Sequence, residues 1–184
     1  MEFKGFKLNI IIVVFLLVIA VFFAGRYYYN VFSVERPIVE EILALDAVDD
    51  ISLIEKQGKM DVIVKLIPGS DFFKTYQEID IIMDEKLNNN RGNITIENHS
   101  TGDLEDLYYK LHYALYEGVN NKSFVAMEER INNIVIDNNI KDYRLWVDTQ
   151  AVYLQLNNEN SSFYKRIPYN TSIIVESEGG GQYA

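Results

Sequence analysis

The groups that could do chemistry in this chain are few and scattered. It has two histidines, His99 and His112, and no cysteine. Thiol catalysis, disulfides, Fe–S clusters and cysteine-rich zinc sites are therefore excluded. Neither histidine stands in H-E-x-x-H or another metal spacing. His112 sits one position from an apolar stripe at Leu111, which is a helix-edge packing position. Carboxylates pair at Asp49/Asp50 and Glu128/Glu129, and cluster along Asp103, Glu105 and Asp106. Paired carboxylates can act as acid and base, which needs one raised pKa and a set separation. Asp103, Glu105 and Asp106 instead fall in the first turn of a helix, where they complement its N-terminal partial charge. Asp49/Asp50 lacks the glycine and the closing glutamate of a calcium loop. There is no glycine-rich phosphate loop and no G-x-S-x-G. The expectation is a non-enzyme without metal or cofactor.

The most suggestive cluster is aromatic and basic. A two-residue turn at Thr149-Gln150 would set Val147 against Val152 and Leu145 against Leu154, forming an apolar face. On the reverse face Trp146 meets Tyr153 and Arg144 meets Gln155. A following strand adds Tyr164 and Arg166 to that reverse side. Trp, Tyr and Arg dominate the energetics of protein interfaces. Trp146, Tyr153, Arg144, Tyr164 and Arg166 are therefore the expected protein-binding residues. Against this stands the bland alternative of a cross-strand aromatic pair, or of a face covered by a helix.

These residues must be positioned by regular elements. Pro37 to Val48 carries Ile38, Ile42, Leu45 and Val48 at helical spacing. Ile51–Lys56 and Lys59–Ile67 read as a hairpin about Gln57-Gly58, with Ile51, Leu53, Val62, Val64 and Leu66 on one face. Ser70 or Asp71 caps a helix to about Leu87, striped by Phe72, Tyr76, Ile79, Met83 and Leu87. Asn93 to His99 reads as a strand after the breaker Asn88–Gly92. A helix capped at Ser100 or Thr101 runs to Gly118, and a second starts from Ser123. Asp142–Asp148, Ala151–Leu156 and Phe163–Ile167 read as strands, with a loop at 157–162. Ser172–Glu176 adds a short edge strand, and the tail with Gly179-Gly180-Gly181 is expected to be flexible. The order α-β-β-α-β followed by α-α-β-β-β defines an α+β class. The first half matches in element order the αββαβ modules that build rings and adaptor assemblies in bacterial envelope machines.

At the N-terminus, Leu8 to Gly25 is almost wholly apolar. With Phe6 and Leu8 it reaches the roughly 20 apolar residues needed to cross a bilayer core of about 30 Å. Lys4 and Lys7 before it predict a cytoplasmic N-terminus, and Tyr27, Tyr28 and Tyr29 fall at the expected outer interface. A signal peptide cut near Ala20 is a competing reading, disfavoured because the apolar run continues through Ala24. Lys4-Gly5-Phe6-Lys7-Leu8 followed by this run resembles the leader junction of type IV pilins and pseudopilins. The resemblance implies a cut after the glycine and a filament-forming helix. Ile10 stands where that family carries glutamate, and no residue role is carried over.

The boundaries expected are 1–7 cytoplasmic, 8–25 transmembrane anchor, 26–35 linker, 36–100 αββαβ module, 101–176 ααβββ module and 177–184 tail. The net charge of −10 repels nucleic acid. A cysteine-free domain outside the cytoplasm fits a bacterial envelope. The sequence thus predicts a single-pass bacterial membrane protein with an extracytoplasmic α+β domain. Its expected work is that of a non-catalytic scaffold in a cell-envelope complex. The expected partners are the membrane and an envelope protein, and a homo-oligomer is compatible. The competing classes are a ligand- or carbohydrate-binding sensor, a pseudopilin-like filament component and a hydrolase using an acidic pair.

Overall fold

The computed structural model describes residues 2–3, 6–29, 34–100, 102–138, 140, 142–158 and 161–169. Among them lie five helices, two three-stranded sheets and a minimal antiparallel pair, β1 (Glu2–Phe3) with β2 (Phe6–Lys7). The α+β class stands. The chain divides into two compact units, one of Met1–Lys65 with Thr75–Thr95, the other of Leu66–Lys74 with Ile96–Ala184. Residues 66–74 and 96–100, expected in the 36–100 module, group with the C-terminal half.

Helix α1 (Leu8–Tyr29) starts where the anchor was expected. Among the described residues, however, no helix is long and apolar enough to cross a membrane. The single-pass anchor, the signal-anchor reading and the bacterial-membrane localisation are corrected on this ground. Helix α1 continues through Tyr29, into the stretch expected as linker.

The first unit is built on a hairpin. Helix α2 (Arg36–Leu43) buries Ile38 and Ile42, with Pro37 in its first turn. It is shorter than expected, because Val48 opens strand β3 (Val48–Lys56) instead of closing the helix. Strand β4 (Lys59–Leu66) follows through Gln57 and Gly58, at φ 53° and 76°. Positive φ at both residues is the backbone of a type I′ turn, whose twist matches the strands it joins. Met60, Val62, Val64 and Leu66 alternate as the buried side of β4. Helix α3 (Phe72–Leu87) buries the whole predicted stripe of Phe72, Tyr76, Ile79, Met83 and Leu87. Asp71 is its cap, accepting the Lys74 N–H at 2.9 Å. A 3-10 turn at Asn88–Asn90 leads to strand β5 (Arg91–Ile96), which completes the sheet order β3-β4-β5. Arg91 donates to the carboxylates of Asp80 and Asp84 on α3 and so ties β5 to that helix.

The second unit places helices α4 (Gly102–Asn121) and α5 (Phe124–Asp137) on the sheet β6 (Asp142–Val147), β7 (Ala151–Asn158) and β8 (Ser161–Pro168). Its core joins Leu104, Leu107, Leu111 and Leu115 of α4 and Met127, Ile131 and Val135 of α5 to Val152, Leu154, Leu156, Phe163 and Ile167. Gly118 does not end α4. A Cβ there would lie 2.5 Å from the Met127 Cβ, so the glycine lets the two helices approach. Ser123 occupies the N-cap position of α5 but makes no side-chain cap bond. The loop expected at 157–162 is largely strand, with Asn157 paired to Ser162 and Asn158 to Ser161. His99 lies beyond β5 and exchanges backbone bonds with Ser162, at 3.0 and 3.1 Å. The predicted strand at 172–176 and the glycine tail lie outside the described residues.

Candidate functional site

The hairpin register is as the spacing predicts. Val147 pairs with Val152, Trp146 with Tyr153, Leu145 with Leu154 and Arg144 with Gln155; on the other side Tyr153 pairs with Arg166 and Gln155 with Tyr164. The turn at Thr149-Gln150 is held by Asp148, whose Oδ1 accepts the N–H groups of Gln150 (2.6 Å) and Ala151 (2.7 Å). Its Oδ2 accepts the Tyr153 hydroxyl at 3.0 Å.

All five expected binding residues therefore share one face. That face is not open. Residues 70–73 lie across it, and β7 is buried at every position from Ala151 to Asn157. Phe72 meets Tyr153 and Tyr164 with ring centroids 5.8 and 5.3 Å apart. Phe73 stacks on Trp146 at 5.8 Å and meets Tyr153 edge-on at 5.0 Å. Gln155 is fully buried: its Oε1 accepts the Phe72 N–H (3.1 Å), and its Nε2 donates to the Ser70 carbonyl (2.8 Å) and to Asn157 Oδ1 (3.2 Å). Tyr153 and Tyr164 are thus core residues, while Trp146, Arg144 and Arg166 form a half-exposed rim. The interface composition read from sequence is real, but the chain satisfies it with its own segment. The physical reason is that a sheet apolar on both faces must bury both.

Burial pushes the Tyr153 hydroxyl up to about 12; Arg166 opposes the rise and Asp148 adds to it. Tyr108 and Tyr164 are raised by burial as well. A tyrosine held above its ordinary value of about 10 contributes stability that is complete below that pH and is lost as the pH climbs through the folded value. Alkaline unfolding is therefore expected between about pH 10 and about 12. Circular dichroism followed alongside tyrosinate absorbance should show a late absorbance step coincident with loss of structure. In Tyr153→Phe that part of the pH dependence should be missing.

The surface that does stay open lies on α4. Tyr109, Tyr113 and Tyr116 are 64%, 74% and 38% exposed, with the half-buried His112 between them. They recur every three to four residues, so they form one stripe opposite the buried leucines. The rings lean on one another: His112 lies 3.9 Å from Tyr113 and 6.0 Å from Tyr116 between centroids. Tyr108 beside them packs on Phe163 at 4.7 Å, under the Lys165 ammonium at 5.7 Å, and seats the stripe on the sheet. The apolar stripe of this helix gives no sign of these tyrosines, which lie on its other side. The signal was present in the spacing of Tyr109, Tyr113 and Tyr116 on its polar face.

The first unit holds a polar pocket of about 340 Å³ beside the β3–β4 turn. It is lined by Lys56, Lys59, Asp61, Arg91 and Asn93, with Gln57 and Gly92. Asp61 accepts the Asn93 N–H at 2.7 Å and lies 3.8 Å from the Lys56 ammonium. Gly92 gives β5 its close approach here, since a Cβ would sit 2.7 Å from the Met60 carbonyl oxygen. The acidic pairs do not converge. Asp49 binds Lys65 at 2.6 Å, Asp50 accepts the Ile51 N–H, and Glu128 and Glu129 are exposed on α5. Among the described residues no group of three or more histidines and carboxylates could hold a metal ion. Comparison with known proteins finds no matching family, no curated relative and no solved structure similar to the chain.

Proposed function

We propose that this protein is a non-catalytic protein-binding domain, a scaffold or assembly component, and that it docks through the outer face of α4. The observation that carries this is the tyrosine stripe. Three exposed tyrosines stand on a helix whose inner side is seated in a continuous core. Tyrosine supplies a large contact area at low conformational-entropy cost, and rigid aromatic anchors are what interface hot spots use.

The test is a photo-crosslinking amino acid at position 113, compared with the same group at the exposed Asp46 position of the first unit. One dominant protein adduct at 113, competed by unlabelled protein and missing at 46, is the expected result. Equal labelling at both positions, or none at 113, refutes the reading. A second reading, a small-molecule-binding module, is favoured by the polar pocket at Asp61. It predicts a ligand-induced thermal shift that Asp61→Ala abolishes.

A further inference from the structure

We infer that the partner of the α4 face is a second copy of this chain, docked as an antiparallel pair of α4 helices about a two-fold axis. This rests on the protein-binding reading of that face. The argument is charge and shape complementarity within one helix. Tyr109 and Tyr116 lie about 10 Å apart along α4, symmetrically about the His112–Tyr113 step. A two-fold axis through that step sets each Tyr109 on Tyr116 of the second copy and brings the Tyr113 rings together at the centre.

The flanks follow. In an antiparallel helix pair each flank meets the same flank of the other helix, so Lys110 of one copy reaches Glu117 of the other, twice. Both are exposed now, with Lys110 bonded to Asn138 at 2.7 Å and Glu117 to Arg130 at 2.5 Å. Both can share a second partner, because an ammonium has three donors and a carboxylate has two acceptor oxygens. The stripe itself carries no lysine or arginine that would oppose its copy, and antiparallel helix dipoles attract. A single helix pair buries less than the roughly 800 Å² per partner of a standard interface. The association is therefore expected to be weak and concentration-dependent.

The chain has no cysteine, which permits a register-specific test on the full protein. Asp106 and Asn120 are exposed on the same stripe and oppose each other across the two-fold axis. Like positions of the two copies would be about 20 Å apart, beyond the reach of a disulfide. Mixing the single variants Asp106→Cys and Asn120→Cys under mild oxidation should give the mixed dimer at least tenfold faster than either self-dimer. Lys110→Glu should suppress it, and Lys110→Glu with Glu117→Lys should restore it. Statistical mixing of dimers, or no dimer at all, overturns self-docking. If the position-113 adduct to another protein persists in that case, the protein-binding reading stands without it. If that adduct is absent too, both fall.

Discussion

Tyr153→Ala is expected to unfold the C-terminal unit, at a cost of about 3–5 kcal/mol. The side chain is fully buried at the centre of β7. Its ring touches Phe72 on one side and Phe73 on the other, its hydroxyl donates to Asp148, and the Arg166 guanidinium lies 5.7 Å above it. Truncation removes all four at once and leaves a ring-sized cavity in a sheet that is covered on both faces. Trp146→Ala should cost less, about 1 kcal/mol, because the indole is half-exposed and its main contact is the stack on Phe73. The comparison is made by urea denaturation followed in the near ultraviolet, where the aromatic cluster reports directly. A Tyr153→Ala protein that keeps its midpoint would show that this face is open to solvent, and the binding surface would return to it.

Gln155→Leu is the second large effect, expected at about 2–5 kcal/mol from two or three buried groups left without partners. The substitution keeps volume and adds apolar surface, so area alone predicts little change or a gain. Hydrogen bonding predicts the reverse. The Phe72 N–H, the Ser70 carbonyl and Asn157 Oδ1 are all hydrogen-bonded to this one amide. The buried polar network wins, since leaving a donor unpaired in the interior costs more than a leucine side chain recovers. Amide hydrogen exchange localises the effect: Phe72 should exchange far faster in the variant, while amides in the middle of α4 keep their order. Uniform loss of protection would mean that residues 70–73 are integral to the cooperative core, instead of a strap held on it. The Tyr153 and Gln155 effects should be less than additive, because both hold the same segment.

Much of the fold was legible in short-range patterns. The stripe from Phe72 to Leu87 is buried at every predicted position, because an amphipathic period of 3.6 admits one inward face. The β6–β7 register followed from a two-residue turn and strict alternation, since a slip of one residue would turn every side chain over. The boundaries were weaker. Val48 fits a helical stripe and a strand equally well, and here the sheet claimed it. Gly118 was read as a stop signal, which is what an isolated glycine suggests. It is in fact a contact point, made necessary by Met127 on the neighbouring helix.

The candidate site was half legible. Composition and register correctly assembled Trp146, Tyr153, Arg144, Tyr164 and Arg166 on one face, but could not say what covers it. The cover arrives from a segment 85 residues away in sequence, through Ser70 and Gln155. Nothing in the hairpin encodes that meeting. The apolar run from Ile10 likewise determined that a helix forms, but among the described residues no helix is long and apolar enough to serve as the expected anchor. What the sequence determined by itself were the local periods: which residues make helix or strand, which side faces inward, and which residues oppose each other across a turn. What only the tertiary structure decided was coverage, because covering a face depends on long-range packing and on pairing every buried amide, and neither leaves a periodic trace. That decision buried the tyrosines of the sheet and left those of α4 exposed.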